Sequence, residues 1–271
     1  GERIDIVAGL RYDNFDIEGI DLLPAVDRPF ARKDEKVSPR LGVIFKPQEN
    51  ISLYGSYSQS FLPRSGDQFL ALTVTQQNLA PEKFTNYELG AKWDVRPNLN
   101  MTLAVFQLER SNATTPDPSN PVASINVGTT HTQGVELSVT GNVTSSWQVH
   151  GGYSYQDAVL AGNDSVRLGQ VPRHQASLWN RYDLSDQFAA GLGIIHQSSQ
   201  FAAIRTVSNT TKLPAFTRLD AALYYDLSDA LQLQLNIENL LNTDYFSDAH
   251  NNNNISTGAP INARVTIRAK F

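Results

Sequence analysis

The chain has no cysteine and one methionine in 271 residues. The first absence excludes a disulfide scaffold and thiolate metal sites, and fits any redox compartment. No apolar run approaches the ~18 residues of a membrane-crossing helix, although hydrophobic residues make up 41% of the chain. A disordered chain is therefore excluded as well. Neither sign of charge dominates, with 22 Lys and Arg against 27 Asp and Glu. A net charge of −5 gives no basic field, which argues against nucleic acid as a partner. There is no glycine-rich phosphate cradle and no GxSxG elbow. The five histidines (His131, His150, His174, His196, His250) lack the i, i+4 spacing that would mark a zinc site. Catalysis has no support beyond chance, so the chain reads as a non-enzyme. The run Asn251 to Asn254 reads as solvated loop. No leader precedes the first strand pattern, GERIDIVAGLRYD, so the chain is expected either to have been processed or, the favoured reading, to be part of a longer one.

What is present is a period of two. In INARVTIRAKF the residues Ile261, Ala263, Val265, Ile267, Ala269 and Phe271 are apolar, and Asn262, Arg264, Thr266, Arg268 and Lys270 are polar. Before it, Leu231, Leu233, Leu235 and Ile237 alternate with Gln232, Gln234, Asn236 and Glu238. Such alternation is a strand whose faces see opposite environments. The unit recurs from Arg3 to Phe15, in SPRLGVIFK, ISLYGSYSQSF, TNYELGAKWDV, MTLAVFQLERS, QGVELSVTGNV and WQVHGGYSYQ. It continues from His174 to Leu184 and in FAAGLGIIHQS, TRLDAALYYDL and the C-terminal pair, giving twelve expected strands. The segments at His174 and Phe188 alternate least cleanly.

The connections alternate between short (PQEN, RPN, TSS, SDQ, SDA) and long. The long ones are rich in Pro, Asn, Ser, Thr and Gly: an irregular stretch to Lys36, Leu62 to Lys83, ATTPDPSNPVASINVG, Gly162 to Pro172, a loop ending near Pro214, and SDAHNNNNISTGAP. A soluble sandwich has more evenly spaced turns. Tight turns at one end and long loops at the other describe an all-β, antiparallel transmembrane β-barrel with periplasmic turns, extracellular loops and outer-membrane lipid around it. Phe45, Trp93, Trp147, Phe188 and Phe271 lie near the short turns and would form the periplasmic aromatic girdle. On the opposite face Glu88, Lys92, Glu136, Arg218, Asp220, Glu238, Arg264 and Arg268 imply a polar interior, most of them expected to pair with one another or with residues of a plug filling the barrel.

Several stretches carry a resemblance. VSPRLGVIFKPQENISLYGSYSQSFLPRSG, NLAPEKFTNYELGAKWDV, TQGVELSVTGNVTSSWQVHGGYSYQDA, VPRHQASLWNRYDL and IENLLNTDYF…NNNNISTGAPINARVTIRAKF together resemble the TonB-dependent outer-membrane siderophore receptors, most of all the ferric-catecholate (Fiu-like) branch. The resemblance implies a barrel of twenty-two strands around an N-terminal plug, with residues 1–271 its C-terminal portion. It implies active uptake of a ferric siderophore through TonB, ExbB and ExbD by way of the plug, and barrel assembly guided by the terminal Phe271. No resident cofactor is implied, because iron arrives already coordinated. A bulky anionic complex calls for cations and aromatic faces at the extracellular mouth. Candidates are Arg64, Phe69, Arg173, His174, Arg205, Phe246 and His250, with Arg64, Arg173, His174, Phe246 and His250 expected to converge. A passive porin and a barrel lipase or protease share the architecture.

Overall fold

The computed structural model describes residues 3–22, 28–64, 79–117, 120–204 and 211–270. Its strands are β1 (Ile4–Asp21), β2 (Arg28–Gln48), β3 (Ile51–Leu62), β4 (Glu82–Arg96), β5 (Leu99–Asp117), β6 (Asn120–Asn142), β7 (Trp147–Leu160), β8 (Asn163–Arg167) and β9 (His174–Asp183). They continue as β10 (Phe188–Gln197), β11 (Gln200–Phe201), β12 (Lys212–Leu213), β13 (Phe216–Ser228), β14 (Leu231–Glu238), β15 (Phe246–Asn251), β16 (Asn254–Thr257) and β17 (Asn262–Ala269). One antiparallel sheet holds twelve of them in the order β1-β2-β3-β4-β5-β6-β7-β9-β10-β13-β14-β17, with β8 appended to β7. These twelve correspond one for one to the twelve period-two segments of the sequence. No helix among the described residues is long and apolar enough to cross a membrane.

Cross-strand register carries each face across the sheet. Leu235 lies opposite Val265 and Leu233 opposite Ile267, and on the other face Gln234 meets Thr266 and Asn236 meets Arg264. The same parity runs through Glu88, Phe106, Gly134 and Gln156 on the polar side. It runs through Leu89, Val105, Val135 and Tyr155 on the apolar side. The apolar side is bare: Val265 and Ile267 are 63% and 67% exposed, and Leu10, Leu41, Leu89, Leu103 and Leu192 are exposed with them. Buried apolar side chains are few and mostly alanine. A sheet that puts its large apolar residues outward and its polar ones inward is built for hydrocarbon outside.

Phe45, Trp93, Trp147 and Phe188 all stand exposed on the apolar face beside the short turns. Tyr182, opposite Trp147, and Tyr225, opposite Phe188 with ring centroids 5.4 Å apart, complete that row. Phe271 lies outside the described residues. The blurred alternation near His174 and Phe188 has a cause in packing. Trp179 of β9 lies opposite Gly193 and its ring covers both Gly191 and Gly193, where an added Cβ would collide with it. Glycines thus occupy positions that a polar side chain takes elsewhere.

Two expected loops are ladders instead. β1 and β2 stay paired from Ile4↔Phe45 to Asp21↔Arg28, through the stretch read as irregular. Likewise β5 and β6, of 19 and 23 residues, carry their pairing into the proline-rich segment as far as Asp117↔Asn120. A hydrocarbon band needs only ~9–11 tilted residues per strand. The remainder projects into water, where both faces meet the same solvent and nothing imposes alternation. The extended backbone therefore survives without its sequence signature. Short hairpins also structure the later loops: β11 with β12, and β15 with β16.

Candidate functional site

The polar face of β1 to β4 encloses a cavity of about 800 Å³, lined by Arg11, Arg40, Lys46, Tyr54, Glu88 and Lys92 among others. Its charges are matched locally. Lys46 pairs with Asp5 at 2.7 Å, the Tyr54 hydroxyl donates to Glu88 Oε1 at 2.6 Å, and the Lys92 ammonium sits 5.7 Å from the Tyr54 ring centre. Across the sheet, Arg218 pairs with Asp220 at 2.8 Å and Glu238 at 3.1 Å. The interior expected from alternation is therefore polar and largely self-neutralising.

At the loop end of β2 to β5 the same face carries a denser cluster. Arg32 grips Asp34, with Nε donating to the two carboxylate oxygens at 2.8 and 2.9 Å and Nη2 at 2.7 Å from Oδ1. The Arg64 backbone N–H reaches Asp34 Oδ2 at 3.4 Å. Glu82, nearly fully buried, takes Arg110 Nη2 at 2.6 Å and Arg64 Nη1 at 3.4 Å, plus the Thr114 hydroxyl at 3.0 Å. Among the described residues three guanidinium groups thus meet two carboxylates, leaving one formal positive charge.

Arg64 itself is only 7% exposed. Its Nε donates to the Ala80 carbonyl at 2.5 Å and its Nη2 to the Asn112 carbonyl at 2.6 Å. Asn112 is held in the left-handed region (φ 57°), with its side-chain amide donating to the Pro81 carbonyl. Burial pulls the Arg64 guanidinium below its ordinary pKa, while the Glu82 charge opposes this. A guanidinium so engaged braces loops; it is not the free fork the sequence reading expected. Arg110 is the accessible cation of the cluster, with 38% of its side chain exposed and its guanidinium 5.6 Å from the Phe84 ring centre. Sequence reasoning passed over it because MTLAVFQLERS places Phe106 and Leu108 on the polar-side positions just before it.

Arg173 and His174 are brought together with neighbours of a different kind. Arg173 Nη2 and Arg167 Nη1 both approach Asp157 Oδ1, at 3.2 and 2.7 Å. His174 lies opposite Tyr155 in the register, on the apolar parity. Its Nδ1 is 2.9 Å from the Tyr153 hydroxyl, and its ring centre is 5.2 Å from that of Tyr155. That places His174 on the outer surface of the sheet, away from the polar face that carries Arg64. Phe246 and His250 are exposed on the β15–β16 hairpin. That hairpin is seated by Ala249 and Ile255 against Ala202 and Leu213. Phe69 and Arg205 lie outside the described residues. The contacts of Arg64 lie with β2, β4 and β5, so they do not join it to Arg173 and His174.

The stretch IENLLNTDYF also gains a physical meaning. Asn239 is fully buried with φ 55°. Its Nδ2 donates to the carbonyls of Thr243 and Ala259 at 2.9 and 3.0 Å, and its Oδ1 accepts from the Thr243 N–H at 2.9 Å. Tyr245 stacks on Phe216 at 4.5 Å and accepts from Arg218 Nη1 at 2.8 Å, with Gly258 packed against its ring. One side chain thus ties both ends of the last loop together. The available signal was an asparagine at a strand exit, a residue tolerant of the left-handed region.

Among the described residues no group of three or more His, Asp or Glu could hold a metal ion. The comparison with known proteins agrees with the architecture. The family described as "TonB dependent receptor-like, beta-barrel" matches residues 1–240. The chain belongs to the TonB-dependent receptors. They are receptors and transporters of the outer membrane, not enzymes. The probable TonB-dependent siderophore receptor PiuA of Acinetobacter baumannii is 32% identical over 265 residues, covering 89% of this chain and 35% of the relative. The catecholate siderophore receptor Fiu of Escherichia coli K12 is 30% identical over 79% of this chain and 30% of its own length. The metal-pseudopaline receptor CntO of Pseudomonas aeruginosa is 29% identical over 86% of this chain and 33% of its length. The crystal structure of PiuA superposes over 100% of this chain and 41% of its own, at 28% identity and a TM-score of 0.89. The closed form of Fiu gives 25% identity and a TM-score of 0.83. The chain therefore spans between 30% and 43% of the length of these receptors.

Proposed function

We propose that residues 1–271 form the C-terminal part of the barrel of a receptor that takes up a ferric siderophore by TonB-dependent active transport. The observation that carries this reading is the superposition on PiuA across the whole chain. Two edges support the assignment as a portion of a larger barrel. The strand order ends at β1 on one side and β17 on the other. Unpaired N–H and C=O groups in hydrocarbon cost several kcal/mol each, so strands beyond this chain close the barrel. The plug carries the coupling to TonB and, through it, to ExbB and ExbD.

A catecholate ligand is the finer reading. Fiu is named for catecholates, and the cluster at the loop end of β2 to β5 carries a net positive charge with an aromatic ring beneath Arg110. Arg110, Phe246 and His250 are the proposed contacts, with Arg64 and Glu82 holding the framework around Arg110. The metal-pseudopaline receptor CntO is nearly as similar, so a metal-pseudopaline complex is the competing cargo. Uptake of radioactive iron by cells carrying the full-length receptor, with and without TonB, decides between them. Ferric tris-catecholate should enter in a TonB-dependent manner, and Arg110→Ala should weaken its binding by roughly 1.5–3 kcal/mol, the range for a charged hydrogen bond. Uptake of the catecholate no faster than in receptor-free cells would remove the catecholate reading. Uptake of iron that is indifferent to TonB would remove the transport reading.

A further inference from the structure

The sheet carries a cationic pocket on its outer surface that the uptake of a ligand through the lumen does not employ. A hollow of about 450 Å³ is lined by Arg167, Arg173, His174, Ser198, Lys212 and, on its acidic side, Asp164. It lies between the β7–β9 connection and the β11–β12 hairpin. Three cations surround it, against Asp164 and the Asp157 carboxylate that Arg167 and Arg173 share. Asp157 engages Arg167 through Nη1, while Arg167 Nη2 is buried with no hydrogen-bond partner among the described residues. A covered guanidinium nitrogen without an acceptor is uncommon, and it marks a position that an oxyanion would satisfy.

The height of the pocket identifies the oxyanion. Trp147 stands in the aromatic row beside the short turns, and Tyr155 lies eight residues further along the same strand. At about 3.3 Å per residue and a tilt of about 45°, Tyr155 is about 19 Å above that row. An outer-membrane barrel carries an apolar band about 25 Å tall with a second aromatic girdle at its upper edge. Tyr153, Tyr155 and His174 meet that description, being clustered, aromatic and on the apolar parity. Arg167, Arg173 and Lys212 then stand one step above, level with headgroups of the outer leaflet. Aromatic rings at the interface with cations just beyond them are the arrangement that recognises an anionic lipid.

The geometry points to a binding site for a phosphorylated lipid headgroup in the pocket of Arg167, Arg173 and Lys212, with its acyl chains lying along the apolar face below Tyr153 and Tyr155. The acceptors on the ligand are phosphate oxygens, bound by the guanidinium groups and the Lys212 ammonium.

The test uses the full-length receptor in phosphatidylcholine nanodiscs doped with lipid A carrying its phosphates, or with dephosphorylated lipid A. Lipid retained per receptor is measured by native mass spectrometry. Wild-type receptor should retain the phosphorylated lipid at least tenfold over the dephosphorylated one. The double variant Arg173→Gln/Lys212→Gln, which alters exposed side chains only, should lose most of that preference, and Arg167→Gln should remove the rest. Ferric tris-catecholate affinity of the double variant, measured alongside, should change less than its lipid retention. Equal retention of both lipids by the wild type would overturn the site, since apolar contact alone would then hold them. An unchanged preference in the double variant would overturn it too. So would a loss of siderophore affinity with lipid retention intact, because the pocket would then belong to uptake.

Discussion

Asn239→Ala is the sharpest perturbation available. The native side chain makes three hydrogen bonds, to Thr243 O, Thr243 N and Ala259 O, in a position closed to water. Each is worth about 0.5–1.5 kcal/mol net. Alanine at φ 55° adds about 1–2 kcal/mol of backbone strain. Together these effects destabilise the closed state of the last loop by about 3–6 kcal/mol. Opening need not unfold the sheet, because β14 and β17 remain paired by eight register pairs. An effect of about 3 kcal/mol raises the population of the open loop by about two orders of magnitude. Hydrogen exchange in the full-length receptor reads this directly. The amides of Thr243 and Gly258, which donate to Asn239 Oδ1 and the Tyr245 carbonyl, should exchange at least tenfold faster. Those of β13 and β14 should be unchanged. Asn239→Gly relieves the strain but not the lost bonds, and should fall between the two. Exchange at Thr243 within threefold of wild type in the alanine variant would refute the latch.

Three further outcomes follow from the geometry. Val265→Arg, on the apolar parity, should cost about 2–4 kcal/mol of barrel stability if it lies near the midplane, while Thr266→Arg costs far less; urea titration of the full receptor into vesicles compares them, and the reverse order would invert the assignment of faces. Glu82→Gln leaves Arg64 buried beside a neutral partner and should destabilise the loop end of β3 and β4 by about 3–5 kcal/mol, visible as protease cutting between residues 63 and 81; an uncut loop would show that the ion cluster is not structural. Hydrogen bonding from Arg167 chiefly holds the Asp157 carboxyl below its usual pKa, against burial. A depressed folded-state value means that this contribution is complete above the ordinary carboxylate pKa of about 3.9 and declines as pH falls below it through the folded value. Protection of residues 161–173 should therefore be flat from neutral pH to about 5 and fall under more acid conditions. Asp157→Asn should abolish that fall, and a pH-independent wild type would contradict the ion pairing.

Much of the fold was legible because hydrocarbon outside and polar groups inside impose a strict period of two wherever a strand crosses. Leu233, Leu235, Val265 and Ile267 declare their face without reference to any partner. So do the aromatics Phe45, Trp93, Trp147 and Phe188 beside the short turns. Where that constraint ends, so does the signal. The projecting halves of β1, β2, β5 and β6 are ladders in water on both faces, and their sequences read as loop. Side-chain assignments at the mouth depended on distances that one dimension does not contain. Arg64 looked like a free cation, but Glu82, Asn112 and Ala80, each 16 or more residues away along the chain, converge on its guanidinium. His174 sits at the end of a strand, where one residue of parity separates the lumen from the lipid side; only the register with Tyr155 settles which it faces. The sequence by itself determined the alternation, the strand count and the polarity of the two faces, because each is set residue by residue by the solvent a strand must cross. Which charges are spent on one another, and which stand free for a ligand, was decided by tertiary structure alone, because ion pairing depends on proximity between strands whose loops carry no periodic code.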